Sequence, residues 1–220
     1  MKNKIELSSF FALHVVIIIL LSLIAPARAN ENAPVLTITP IYSQLLAIPL
    51  PYGFKPVFES AGSVQYIHEF VLEGESKNEW TQMITVTGWR GFVPNPNVTL
   101  ERYALSIASG FSRACPNSFS GSRIEENKVS GHDAFIAVVS CGTSPSTDGR
   151  TSESALLVVI KGKNDYYTVQ WSERDKPSNV PITIDKNKWV EKLKELSPIK
   201  LCSVTLGELP PYPSCLNSKE

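Results

Sequence analysis

ALLVVIKGKNDYYTVQW, residues 155–171, is two β-rich runs separated by four turn-forming residues. The first run belongs to Glu153–Lys161, apolar at nearly every position from Ala155 to Ile160, as in a strand covered on both faces. Gly162-Lys163-Asn164-Asp165 has the length and glycine of a hairpin connection. The return run, Tyr166–Glu173, places Tyr167, Val169 and Trp171 on one face. A buried antiparallel hairpin is therefore expected at the centre of the domain.

Neighbouring segments extend it in both directions. Upstream, Asp133–Cys141 (DAFIAVVSC) reads as another buried strand and Ser122–Val129 as a polar edge strand. Thr143–Arg150 is a Ser/Thr/Gly/Pro loop, too short for a crossover helix, so these strands are expected to be antiparallel. Val64–Leu72 and Trp80–Thr87 form an earlier strand pair around the turn at Glu73–Ser76, with Val64, Tyr66, Phe70 and Leu72 on one face. Gly88–Pro96 reads as a loop.

Two helices complete the pattern. Thr99 has the character of an N-cap, followed by Leu100, Tyr103, Ala104, Ile107, Ala108 and Phe111 in one stripe. Asp185 caps a second helix, whose buried stripe is Trp189, Val190, Leu193 and Leu196 and which Pro198 ends. Residues 30–56 hold five prolines (34, 40, 49, 51 and 56) and read as irregular, with a short strand at Val35–Ile41 and a helical turn at Tyr42–Ile48. Ile199–Leu206 reads as a last short strand or tail. Strand pair, helix, four strands, helix describes an α+β domain: a single, mostly antiparallel sheet flanked by helices.

The first 29 residues read as an address. Lys2 and Lys4 precede an apolar run, Phe10–Ile24, and then Pro26-Ala27-Arg28-Ala29. This is the three-part secretory signal pattern, with cleavage expected after Ala29. The apolar run, about 15 residues, is shorter than the roughly 20 needed to span a bilayer. A periplasmic or secreted protein is implied, without stable membrane insertion once the signal is removed. The mature chain, 30–220, is expected to be one domain, large enough to bury about 70% of its unfolded surface. It keeps 18 basic and 20 acidic residues. That near-neutral balance gives no electrostatic reason to expect a nucleic-acid partner.

Cys115, Cys141, Cys202 and Cys215 all fall in the exported part, and an even count there reads as two disulfides. Of three possible pairings, closeness in sequence favours Cys115 with Cys141 and Cys202 with Cys215. The second pair would close a proline-rich tail over residues 200–220. No C-x-x-C or C-x-x-H spacing supports zinc, and no metal or cofactor is expected.

The layout resembles exported bacterial proteins of the PsbP-like fold, that of the photosystem II extrinsic protein and of the Ran-binding nuclear transport factor that shares it. The resemblance rests on Val64–Leu72 leading into WTQMITV (80–86), on the amphipathic helix after Thr99, and on the hairpin 155–171 ahead of a C-terminal helix. It spans residues 45–200. It implies a non-enzymatic binding or accessory role and carries over no site residues.

Catalytic motifs are missing: there is no G-x-S-x-G, phosphate loop, dinucleotide glycine pattern or H-E-x-x-H. The mature chain has two histidines. Ser130-Gly131-His132-Asp133 gathers the residue types of a hydrolytic triad, but reads as a turn. His68, between Tyr66 and Phe70, reads as a core or interface histidine. Glu69, Glu73 and Glu75 before Trp80 could suggest a sugar site, although carboxylates at a strand end are ordinarily solvated. Gly88-Trp89-Arg90-Gly91-Phe92 differs: Trp89, Arg90 and Phe92 are residue types that dominate interfaces, and they sit in a loop. The reading is an exported accessory protein that binds another envelope or secreted protein, with Trp89, Arg90 and Phe92 as candidate contacts. The alternatives are an inhibitor or immunity-type protein of an envelope enzyme, and an envelope hydrolase with an unrecognised site.

Overall fold

In the computed structural model, residues 32–124 and 128–217 are described. The expected signal segment and its cleavage point lie outside the described residues. Chain contacts divide between Ala33 and Pro34, and the fold below is that of the unit beginning at Pro34.

The strands are β1 (Val35–Ile41), β2 (Gln44–Leu50), β3 (Phe54–Ala61), β4 (Gln65–Leu72), β5 (Gln82–Trp89), β6 (Phe119–Ile124), β7 (Lys128–Val129), β8 (His132–Cys141), β9 (Ser152–Lys161), β10 (Tyr166–Asp175) and β11 (Lys200–Ser203). Among the described residues three α-helices join them: α1 (Leu100–Ala114), α2 (Lys186–Glu195) and the single turn α3 (Pro213–Leu216). The large sheet runs β3-β4-β5-β10-β9-β8-β6, with short β7 beside β8, and β1-β2-β11 form a smaller sheet. Every pairing among the described residues is antiparallel. The α+β class, a mostly antiparallel sheet with flanking helices, is as expected from the sequence; the three-stranded sheet is an addition to it.

The hairpin β9–β10 occupies the middle of the large sheet. Tyr166 pairs with Lys161 and Trp171 with Leu156, and residues 155–160 are all at most 1% exposed. Both faces are covered because layers lie on either side. On one face, α1 seats Tyr103 and Ala104 against Phe135, Ala137, Val159 and Tyr166. Its next turns place Ile107, Ala108 and Phe111 over Val139, Ala155 and Leu157. Thr99 caps this helix by accepting a hydrogen bond from the Arg102 amide at 3.1 Å, satisfying one of the donors a helix start leaves unpaired. On the other face, Trp189, Leu193 and Leu196 from α2 and its end join Ile41, Leu46, Ile48 and Leu50 of the small sheet in one core with Val158, Val169 and Trp171.

The cysteines pair as expected. Cys115–Cys141 joins the end of α1 to β8, with 5.6 Å between Cα atoms. Cys202–Cys215 joins β11 to α3 at 5.5 Å. The loop it closes brings Tyr212 and Cys215 onto Leu45 and Ala47. β2 is therefore buried at every position, one side by the large sheet and the other by the tail.

Several boundaries differ from the sequence reading. β1 has the bounds expected for the short strand, Val35–Ile41, but the rest of segment 30–56 is not irregular: it holds β2 and the start of β3. Tyr42–Ile48 is not a helical turn; Tyr42 and Ser43 form a turn between paired strands. Prolines are tolerated here because they meet no ladder that needs their missing N–H. Pro40 is on the edge strand β1, and Pro56 is on the edge strand β3, where the register shifts. Pro49 lies past the end of β11, which reaches only Ala47. Gly88 and Trp89 belong to β5, not to the following loop. The edge strand expected at 122–129 is β6 and β7, with residues 125–127 outside the description.

Candidate functional site

A carboxylate that is 2% exposed sits at one end of the large sheet. Asp165 closes the β9–β10 turn, and burial makes its charge costly unless donors surround it. Donors come from distant parts of the chain. Oδ2 accepts from the Ser43 amide at 3.1 Å and the Ser43 hydroxyl at 2.5 Å. Oδ1 accepts from the Gly91 amide at 2.7 Å. The Tyr167 hydroxyl donates more weakly, at 3.4 Å, to Oδ2. Asp165 thus fastens together the β1–β2 turn, the segment after β5 and its own hairpin.

Glycine makes this convergence possible. A Cβ on Gly162 would meet Gln44 Oε1 at 2.4 Å and the Tyr167 ring at 2.5 Å; one on Gly88 would meet Ile41 Cγ2 at 2.4 Å. Buried Gln44 accepts from the Lys163 amide at 2.6 Å and adds a second tie between the β1–β2 turn and the hairpin.

The outer rim is made by Tyr42 and Arg90. Tyr42 has φ 53°, in the left-handed region, where a bulky side chain costs of order 1–3 kcal/mol and persists only when its surroundings hold it. Its hydroxyl donates to the Gly62 carbonyl at 2.9 Å. Arg90 is exposed, with its guanidinium 5.8 Å from the centre of the Tyr42 ring. Partial burial raises the Tyr42 phenol pKa, with Arg90 opposing and Asp165 adding to the shift. A concavity of about 430 Å³ opens between Tyr42, Ser43, Arg90, Gly91, Asn164 and Asp165.

The three candidate contacts divide. Trp89 and Phe92 come together, stacked with centroids 5.3 Å apart. Phe92 sets its edge against Tyr103 and Tyr166, so both aromatics are half-buried over α1. Arg90 turns away from them into the rim. The loop is anchored by its aromatics and presents its arginine. Asp165, Tyr42 and Ser43 are not among the candidate contacts: the sequence marks them only as part of a hairpin connection and of a short turn segment. An aspartate in G-K-N-D looks like an ordinary turn residue, and its partners lie 74 and 122 residues away.

The other candidates are engaged elsewhere. Ser130 and Gly131, at φ 44° and 79°, make the two-residue turn between β7 and β8. Ser130 donates to the Ile199 carbonyl at 2.6 Å, and Asp133 accepts from Lys128 at 2.9 Å. These bonds direct the serine and the acid to separate partners, so the two do not assemble with His132 into a relay. His68 lies against Phe70, with ring centroids 4.1 Å apart, and its Nδ1 is 3.2 Å from the Tyr66 hydroxyl. Burial lowers its pKa, with Glu59 opposing. Glu73 pairs with Lys55 and Glu69 with Lys77. Glu75 accepts from Thr81, and Trp80 is covered by Arg174 at 3.6 Å. Those carboxylates do not converge on Trp80. No group of three or more His, Cys, Asp or Glu side chains arranged to hold a metal occurs among the described residues.

No protein-family model matches the sequence, and neither does any curated protein. Solved structures with a similar fold include a protein from Bacteroides thetaiotaomicron, at 12% identity and a TM-score of 0.44 over 80% of this chain. The match takes in 50% of that protein, so the chain spans about half its length. Another is the Ran-binding protein Mog1p of Saccharomyces cerevisiae, at 12% identity and a TM-score of 0.40, covering 74% of this chain and 85% of Mog1p.

Proposed function

We propose that this is an exported, non-enzymatic accessory protein that holds a protein partner at the sheet end formed by Tyr42, Arg90 and the 162–165 turn. The observation that carries the reading is the Asp165 junction. A buried acid and two close glycine contacts fix three loops, and the rim they fix offers a tyrosine and an arginine around a concavity. Pre-ordered loops lose less entropy on association, and tyrosine and arginine are enriched among residues that dominate binding energy. Two disulfides suit an oxidising compartment, and no helix among the described residues is long and apolar enough to cross a membrane.

The test is a crosslinking pull-down of the tagged full-length chain from its native envelope. The expected result is one stoichiometric partner that is retained by wild type and depleted with Arg90→Ala and Tyr42→Ala. A free, monomeric protein, or a partner held equally by both variants, overturns the reading.

A further inference from the structure

At the opposite end of the large sheet, the core stops abruptly across five strands. One register row is apolar in its middle: Val138, Leu156, Trp171 and Ile84 face the same side. The row two residues further along is wholly polar: Ser120, Ser140, Ser154, Glu173 and Gln82 lie opposite one another on β6, β8, β9, β10 and β5. Ser152 follows on the next row, opposite Asp175. Alternation alone does not require this, because that end of the sheet is still covered.

The cover is the chain from Lys176 to Asp185, which forms no helix or strand. It is fastened at two points. The Ser178 amide donates to the Gly142 carbonyl at 2.8 Å, an approach so close that a Cβ on Gly142 would meet the Ser178 carbonyl oxygen at 2.1 Å. The Ser120 hydroxyl donates to the Ile182 carbonyl at 2.7 Å. Between strap and serine row lies a cleft of about 360 Å³, within the range of small-ligand sites and room for about a dozen waters.

Its chemistry is specific. Ser140 is 1% exposed and Ser152 3%. The Ser140 hydroxyl donates to Ser154 at 2.7 Å, leaving the Ser154 proton for a further acceptor. Ser152 lines the cleft and has no side-chain hydrogen bond among the described residues. Charge around the cleft is balanced: Glu173, Asp175 and Asp185 against Arg174, Lys176 and Lys188. Glu173 is already paired with Lys188 and Lys192. The lining charges sum to zero, so the cleft offers a net-charged ligand no overall attraction, whereas a neutral polyhydroxyl ligand meets hydroxyls that both donate and accept.

We infer that this strapped serine cleft is a binding site for a neutral polyhydroxyl ligand of monosaccharide size. It is separate from the partner-binding end, since Glu173 is eight residues along β10 from Asp165, or about 26 Å.

The test is a titration of the isotope-labelled mature chain with D-glucose, N-acetylglucosamine and myo-inositol, followed by amide chemical shifts, with glucose 6-phosphate and glutamate as charged comparators. At least one neutral polyol is expected to move amides of residues 120, 140, 152–154 and 173–188, and to bind more tightly than the charged compounds. Ser152→Ala should weaken it about three- to tenfold, the loss of one neutral hydrogen bond, with the thermal midpoint unchanged; Ser154→Ala should weaken it comparably and also lower the midpoint, because it strands the buried Ser140 hydroxyl. No shifts with any of the three polyols, shifts confined to other residues, or tighter binding of a charged compound overturns the inference. The wild-type shift map decides even where a variant fails to fold.

Discussion

Replacing Asp165 with alanine tests whether the sheet end is held by a single buried acid. The change removes the acceptor for the Ser43 and Gly91 amides and the Ser43 hydroxyl. Leaving a buried donor unpaired costs about 1–3 kcal/mol. Two amides stranded with partial hydration make about 3–5 kcal/mol a reasonable total. With a urea m-value of about 2 kcal/mol/M, the unfolding midpoint should fall by about 1.5–2.5 M. The loss should also be local: amide exchange at Ser43 and Gly91 should accelerate in the native state, before global unfolding. Asp165→Asn keeps the volume and one acceptor oxygen but turns an NH₂ toward donors, so it should fall between alanine and wild type. A midpoint shift for Asp165→Ala below about 0.5 M, under about 1 kcal/mol, with unchanged exchange at both amides, would refute the reasoning.

Three further outcomes are expected. Burial holds the His68 imidazole below its ordinary range, so the folded state favours the neutral ring. That contribution to stability is complete above the unfolded pKa of about 6.5 and is lost as pH falls through the folded value. Urea stability should therefore drop more between about pH 7.5 and about pH 5.5 for wild type than for His68→Gln; coincident slopes would exclude it. The Cys202–Cys215 bond closes a separation of 13 residues, worth about 3 kcal/mol by chain entropy. A Cys202→Ser, Cys215→Ser double variant should lose about that much and gain protease cuts within residues 204–217; resistance equal to wild type would contradict it. Finally, N-terminal sequencing of the protein recovered from its host should begin at Asn30, and an intact Met1 would remove the signal-peptide reading.

What was legible in the sequence follows what is local. The β9–β10 hairpin, the α1 stripe and the α2 stripe are periodic patterns interpreted by neighbouring residues, and each was read with its faces correct. In the small sheet β1 and the position of β11 were legible, but β2 was not. LLAIPL (45–50) is apolar throughout because two layers bury it, and a continuous apolar run looks the same in a buried strand or a buried helical turn. Its prolines read as breakers because edge position is a property of the assembled sheet. The candidate site shows the same division. Trp89, Arg90 and Phe92 stood out by residue type, but that two of them anchor and one projects depends on Tyr103 and Tyr166 beneath them. Asp165 left no local trace: its role exists only once Ser43 and Gly91 arrive.

The most direct test of the proposed partner-binding end is site-specific photo-crosslinking in the native envelope. A crosslinker at Asn164, an exposed residue on the wall of the concavity, should give a discrete adduct that disappears when Arg90 is also changed to alanine. The same crosslinker at Asn187, exposed on α2, should give none. An adduct from Asn187 in place of Asn164, or an Asn164 adduct indifferent to Arg90→Ala, would contradict the account.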